Sequence, residues 1–162
     1  MSFLIRACAP ADLPALHTIR AAAFAPVFAS FRSIVGPEIA ALGLVTAEQE
    51  QANLLDSIAQ PDSGYVIAVA EIAGAPAGFV SWKTDPATKI GEITLNAVHP
   101  DHGGQGLGTA LYQHALAALK AAGMQLATVG TGGDPSHAPA RRAYAKVGFA
   151  VHIPSIYMYA KL

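Results

Sequence analysis

The sequence carries a single cysteine, Cys8, and no CxxC pair, so an internal disulfide and a cysteine zinc site are both excluded. The compartment expected for it is a reducing one, and the localisation expected is cytoplasmic. Charge is scarce as well: only 13% of the residues are charged, the net charge is −1, and no run of Lys or Arg occurs. A nucleic-acid binder needs a basic footprint, so no nucleic-acid partner is expected. Long apolar runs are also missing. The longest clearly apolar strand-like stretch, Tyr65 to Ala70, stops at Glu71, well short of the roughly 20 residues a membrane-spanning helix needs. The opening Met1 to Arg6 has no basic segment followed by a long apolar one and a cleavage site. No membrane partner is expected, and small molecules or a peptide terminus are left as the natural ligands.

What the chain has is apolar mass. Hydrophobic residues make up 52% of 162 residues, many of them alanine, which excludes a disordered segment and suits one globular domain spanning residues 1–162. Phe3 to Ala7 reads as a strand, and Pro10-Ala11-Asp12-Leu13-Pro14 opens a helix through about Phe24. Residues 25 to 45 form a helical arm interrupted at Gly36-Pro37, and a second helix starts at Thr46 and ends near Pro61. Tyr65 to Glu71 and Ala77 to Lys83 read as strands joined by a short turn, and Ile90 to Val98 as a third antiparallel neighbour. Leu107, Leu111, Ala115, Ala118 and Ala122 recur at helical spacing, with Gly123 as the stop. Gln125 to Val129 then returns as a parallel strand, Pro139 to Val147 forms a short helix, and Phe149 to Tyr159 supplies one or two closing strands. The expected fold is therefore α/β, with a mixed, mostly antiparallel central sheet of six to seven strands flanked by about four helices.

The stretch that carries chemistry is Val98-His99-Pro100-Asp101-His102-Gly103-Gly104-Gln105-Gly106-Leu107-Gly108-Thr109, between a strand and a helix. Four glycines among six residues let successive backbone N–H groups approach a ligand, and the helix start adds positive dipole character, so the loop suits a phosphate. The spacing narrows which one. Thr109 stands where a dinucleotide fingerprint needs its third glycine, and again where a P-loop needs lysine after Gly108. The plainer alternative is a tight turn into a helix with no ligand.

The run resembles the acetyl-CoA signature of the GNAT N-acetyltransferase superfamily: Gln or Arg, two residues, Gly, one residue, then Gly or Ala. Gly106 and Gly108 take the two small-residue positions, and Gly103 replaces the first Gln or Arg, losing a side chain but keeping the amides. Two further features share the resemblance: His99-Pro100-Asp101 after the strand, and Tyr144 followed after three residues by Gly148-Phe149. The resemblance implies a GNAT fold, acetyl-CoA as cosubstrate with no metal, and transfer of an acetyl group to a primary amine of a small molecule or peptide. It places the CoA pyrophosphate on the backbone of Gly103, Gly104, Gln105, Gly106, Leu107, Gly108 and Thr109, and the pantetheine along Asn96, Ala97 and Val98. It makes Val98 N–H the oxyanion donor, Glu92 the general base and Tyr144 the general acid at the departing thiolate, with His137 at a CoA-contacting position.

Each of these residues has a plainer reading: Glu92 as an exposed strand-end carboxylate, Asn96 as a hydrogen-bonded residue of the sheet, Tyr144 as core packing, His137 as a helix-start histidine without a ligand. Arg141 and Arg142 reach either CoA phosphates or solvent. Cys8 reads as a small buried residue rather than a nucleophile. His99, Asp101, His102 and His114 lack metal-ligand spacing. Alternatives to the leading activity are a catalytically silent CoA-binding sensor or partner domain, and an acyltransferase using another acyl-CoA or a hydroxyl acceptor. The arm from Phe24 to Val45 and the loop from Thr84 to Lys89 should set the acceptor, whose identity stays open, as does the oligomeric state, a homodimer included.

Overall fold

A computed structural model describes residues 2–162. Five strands form one sheet in the order β1 (Leu4–Ala7), β2 (Tyr65–Ile72), β3 (Ala75–Asp85), β4 (Ile90–Val98), β5 (Leu126–Val129). The first three pairings are antiparallel, and β4 pairs β5 in parallel. Four helices flank it: α1 (Leu13–Gly43), α2 (Ala47–Ile58), α3 (Leu107–Ala121) and α4 (Ala138–Lys146). Both faces of the sheet are covered, which is why the middle of β2 reads Ile67-Ala68-Val69-Ala70 without polar alternation. Ala68 and Ala70 pack with Leu111, Ala115 and Leu119 of α3. Ile67 and Val69 pack on the opposite side with Leu16 and Ile19 of α1 and Leu55 and Ile58 of α2.

Two elements depart from the expectations. The first helix continues past Phe24 and through Pro26, because Val27 and Phe28 extend its buried stripe, and it breaks only at Gly36, whose φ of 78° lies ahead of Pro37. The helical stretch Pro10–Gly43 is long and apolar enough by length and composition alone to cross a membrane, but it is broken at Gly36 and packs Leu16 and Ile19 into the core with Leu55 and Ile58 of α2. The second departure is at the C-terminus. The sheet has five strands rather than six or seven, because Phe149 to Tyr159 forms no strand: Phe149 packs on Tyr144, but Val151, Ile153, Ile156, Tyr157 and Met158 are exposed. Pro154 removes a ladder donor from the middle of this segment.

One irregularity positions the site. Between β3 and β4 the register runs Val80 opposite Asn96 but Trp82 opposite Ile93, so two steps on β3 face three on β4. This is a β-bulge with Ser81 opposite the extra residue. Ser81 is fully buried, and its hydroxyl donates to Leu95 O at 2.7 Å, satisfying a carbonyl the bulge displaces. The bulge inverts the side-chain alternation. Ile93 packs on the α3 side, whereas Leu95 and Ala97 pack on the α1 and α2 side, and Asn96 is turned toward α3 and α4.

Candidate functional site

The parallel pairing of β4 with β5 covers only Ile90 to Ile93. Beyond the bulge, Thr94 to Val98 keep β3 on one side and have no strand on the other. His99 N–H donates to Ala77 O at 2.8 Å, which makes 77 and 99 a hydrogen-bonded pair; antiparallel alternation then makes Val98 opposite Gly78 a non-hydrogen-bonded one. The N–H and C=O of Val98, and by the same alternation of Asn96, therefore face the open edge. A cavity of about 840 Å³ lies along this edge, lined by β4 from Glu92 to Val98, the glycine loop, the start of α4, and Ala23, Phe24, Pro26 and Val27 of α1.

At one end stands the glycine loop. Gly104 and Gly106 have φ of 73° and 83°, in the region side chains avoid, and a Cβ at either would meet no atom within 4 Å. Gly106 is the N-cap of α3 and has no side chain to cap it. The first helical bond is Ala110 N–H to Gly106 O at 3.0 Å, so the N–H groups of Leu107, Gly108 and Thr109 have no partner in the helix ladder. Unshielded donors beside open space at a helix N-terminus are a donor set that fits a pyrophosphate. Gly103, Gly104, Gly106, Leu107, Gly108 and Thr109 all line the cavity, whereas Gln105 is exposed and does not. Further along the wall, the Thr94 hydroxyl is buried without a hydrogen-bond partner, one more polar atom the cavity leaves unsatisfied.

The two carboxyl and phenol candidates lie on opposite faces of β4. Glu92 is the neighbour of Ile93 and so faces the α1 and α2 side, where its carboxylate meets Lys83, its cross-strand partner, at 2.9 Å; both side chains are nearly half exposed. The Lys83 ammonium is pushed above its ordinary value, chiefly by Glu92 and secondarily by Tyr65. Tyr144, on α4, is buried, with its ring 4.5 Å from that of Tyr112 and 5.8 Å from Phe149. Its hydroxyl oxygen lies 2.9 Å from Asn96 Nδ2 and 3.2 Å from Asn96 Oδ1. Burial raises its pKa, opposed chiefly by the hydrogen bond from Asn96, so the phenol is protonated throughout the physiological range. Tyr144 is packed in the core, and it also lines the cavity.

His137 lines the cavity with its imidazole held from two directions. Its Nδ1 is 2.5 Å from Asp134 Oδ1, and its ring stacks on Phe31 of α1 at 5.7 Å. Asp134 also accepts from Ser136 N at 3.1 Å, from the Ser136 hydroxyl, and from the Ser30 hydroxyl of α1 at 2.8 Å. Burial alone would raise its pKa, but the hydrogen bonds from Ser136, Ser30 and His137 hold the carboxyl well below the usual carboxylate range. Arg141 donates to Gly132 O at 2.5 Å and to Asp134 O at 2.8 Å, which makes it a brace for this loop; Arg142 lines the cavity. Tyr112 and Asp134 were not singled out from the sequence. Tyr112 continues a stripe with Gly108, Ala115 and Leu119, and Asp134 ahead of Pro135 is a helix N-cap pattern, so both carried a local signal.

Away from this wall, burial pushes the Cys8 thiol up, which keeps it from being a thiolate. His102 lines the cavity, whereas the His114 ring stands edge-on to Trp82. Among the described residues no three His, Cys, Asp or Glu side chains gather.

A five-stranded mixed sheet whose fourth and fifth strands part beside a glycine-capped helix is accompanied by a sequence match of the same kind. The Acetyltransferase (GNAT) family model matches residues 35–149, more than half of the chain. The chain belongs to the GNAT acetyltransferase family. No curated protein matches its sequence, but solved GNAT structures share its fold. The PaiA N-acetyltransferase of Thermoplasma acidophilum, in complex with coenzyme A, superposes with a TM-score of 0.72 at 18% identity, over 96% of this chain and 94% of its own. The ribosomal-protein-S18-alanine N-acetyltransferase of Escherichia coli gives 0.67 at 22% identity, over 94% and 80%. A GNAT acetyltransferase of Brucella melitensis in complex with acetyl-CoA gives 0.66 at 21%, over 93% and 84%.

Proposed function

We propose that this GNAT protein is an N-acetyltransferase that moves an acetyl group from acetyl-CoA to a primary amine of a small molecule or peptide. The observation that carries the reading is the open edge of β4, with backbone donors along it, a base candidate on one face of the strand and an acid candidate on the other. Bound acetyl-CoA supplies an electrophilic carbonyl and a sulfur leaving group, so that a C–N bond replaces the C–S bond. The backbone of Gly104, Gly106, Leu107, Gly108 and Thr109 would hold the pyrophosphate. Val98 N–H, on the open edge, offers a fixed donor where negative charge develops on the carbonyl oxygen. Glu92 takes the proton the attacking amine gives up, which matters because an amine with a pKa near 10 is mostly protonated at neutral pH. Tyr144 gives its proton to the sulfur, and solvent restores both groups.

The apolar lining from Ala23, Phe24, Pro26 and Val27 bounds the side from which an acceptor would approach Glu92. Incubation with acetyl-CoA and a panel of small amines, peptide N-termini and alcohols, following free thiol, tests the reading. Thiol release that depends on an amine supports it. Release with alcohols only would replace it with O-acyl transfer, and binding without release with a silent CoA-binding domain.

A further inference from the structure

Tyr112 has no part in the roles set out above, yet it is buried, lines the cavity, and touches both Asn96 and Tyr144. Its hydroxyl lies 2.8 Å from Asn96 Oδ1. Asn96 Nδ2 lies 3.0 Å from Thr94 O, a carbonyl that can only accept, so this end of the amide must be the NH2. The oxygen end then faces Tyr112, which must donate to it. Burial and the neighbouring Tyr144 push the Tyr112 pKa far up, so its proton is always present for that bond. The second hydrogen of Nδ2 points at the Tyr144 oxygen, 2.9 Å away, and occupies one of its lone pairs.

A phenol that accepts from the amide in this way keeps its own hydrogen for another acceptor. We infer that Tyr112 is a positioning residue for acyl transfer: by donating to Asn96 Oδ1 it holds the Asn96 amide in the orientation that makes Tyr144 a hydrogen-bond acceptor, leaving the Tyr144 proton aimed into the cavity. Both phenols lie within hydrogen-bond distance of Oδ1, Tyr112 at 2.8 Å and Tyr144 at 3.2 Å, so they compete for it and the shorter Tyr112 bond leaves the Tyr144 proton the freer to turn into the cavity. Without the Tyr112 hydroxyl, Tyr144 is the one donor left to that oxygen, and its proton is spent inside the pair. The inference rests on the acetyltransferase reading and on Tyr144 as the acid. Its readout is also available in the absence of acetyl-CoA, through the side-chain amide of Asn96.

The test is Tyr112→Phe, which retains the ring packed on Tyr144, examined alone and together with Tyr144→Phe. In steady-state assays kcat should fall by about three- to tenfold, the scale of one misdirected hydrogen bond, with KM for acetyl-CoA nearly unchanged. The double variant should be no slower than Tyr144→Phe alone, because Tyr112 acts through that hydroxyl. In the ligand-free protein, NMR should show the Asn96 side-chain amide protons exchanging with solvent about tenfold faster in Tyr112→Phe than in wild type. Asn96→Asp, whose carboxylate replaces the NH2 with a second acceptor and so takes the Tyr144 proton with both tyrosines intact, should reproduce the loss of kcat should Tyr112→Phe fold poorly. The inference is overturned by a wild-type kcat in Tyr112→Phe, by losses that multiply in the double variant, by a Tyr144→Phe variant as fast as wild type, or by an unchanged Asn96 amide. A wild-type protein that binds acetyl-CoA without amine-dependent turnover would instead overturn the activity itself.

Discussion

Two glycines at the two ends of α3 allow the proposed phosphate cradle to be tested separately from stability. Gly106 caps the N-terminus with φ of 83° and Gly123 follows the C-terminus with φ of 82°, and a Cβ at either would meet no atom within 4 Å. Alanine at either site therefore costs the left-handed penalty and little else, roughly 1–2 kcal/mol. For a chain of this length that is a fall in Tm of roughly 2–8 °C, similar for Gly106→Ala and Gly123→Ala. Binding should separate them. The methyl at 106 stands in the open space beside the free N–H groups of Leu107, Gly108 and Thr109, whereas Gly123 is not among the residues lining the cavity. Calorimetric titration with CoA should give about tenfold weaker binding or worse for Gly106→Ala, a loss of at least about 1.4 kcal/mol. Gly123→Ala should bind as wild type does. Equal affinities in the two folded variants would refute the assignment of the glycine turn.

Glu92→Gln should slow turnover by about a hundredfold near neutral pH and recover toward high pH, where more of the amine is already neutral; a wild-type pH profile would make Glu92 a structural partner of Lys83 only. Tyr144→Phe should leave Tm within a few degrees, because the ring contacts with Tyr112 and Phe149 persist, while kcat falls by roughly one to three orders of magnitude at saturating acetyl-CoA. Asp134 should make the fold acid-sensitive. Its folded pKa lies below the ordinary carboxylate value, so its contribution is fully present above about pH 4 and is lost as pH falls toward the folded value. Tm measured between pH 2 and 5 should therefore fall less steeply in Asp134→Asn than in wild type, and parallel curves would show that its hydrogen bonds do not couple to folding.

The parts of the site legible in the sequence are those that rest on local chemistry. The glycine turn into α3 is readable because glycine is the residue that permits positions 104 and 106 their positive φ, and because the apolar stripe from Leu107 fixes where the helix begins. The boundaries of β4 follow from its composition in the same way. The bulge inside it does not. Ile93, Leu95 and Ala97 keep a regular alternation on paper, and only the register against β3, with Ser81 beneath Leu95, reveals that Ile93 faces the other way. That inversion puts Asn96 against Tyr112 and Tyr144, so the network is a property of two strands and two helices together. Asp134 could be read as a cap, but its bond to Ser30 spans 104 residues of chain. Val151, Ile153, Ile156 and Met158 read as strand positions, yet a strand also needs an edge to pair with, which no local pattern supplies.

The proposed activity is tested most directly by following the acetyl group itself. Acetyl-CoA labelled with carbon-13 at the acetyl carbonyl would be incubated with the protein and a primary amine, and the product examined by NMR alongside titration of free thiol. The label should appear in an amide, in amounts equal to the thiol released and proportional to enzyme. Labelled acetyl-CoA that binds yet persists at the uncatalysed rate with every amine offered, or label recovered only as an ester, would contradict N-acetyl transfer.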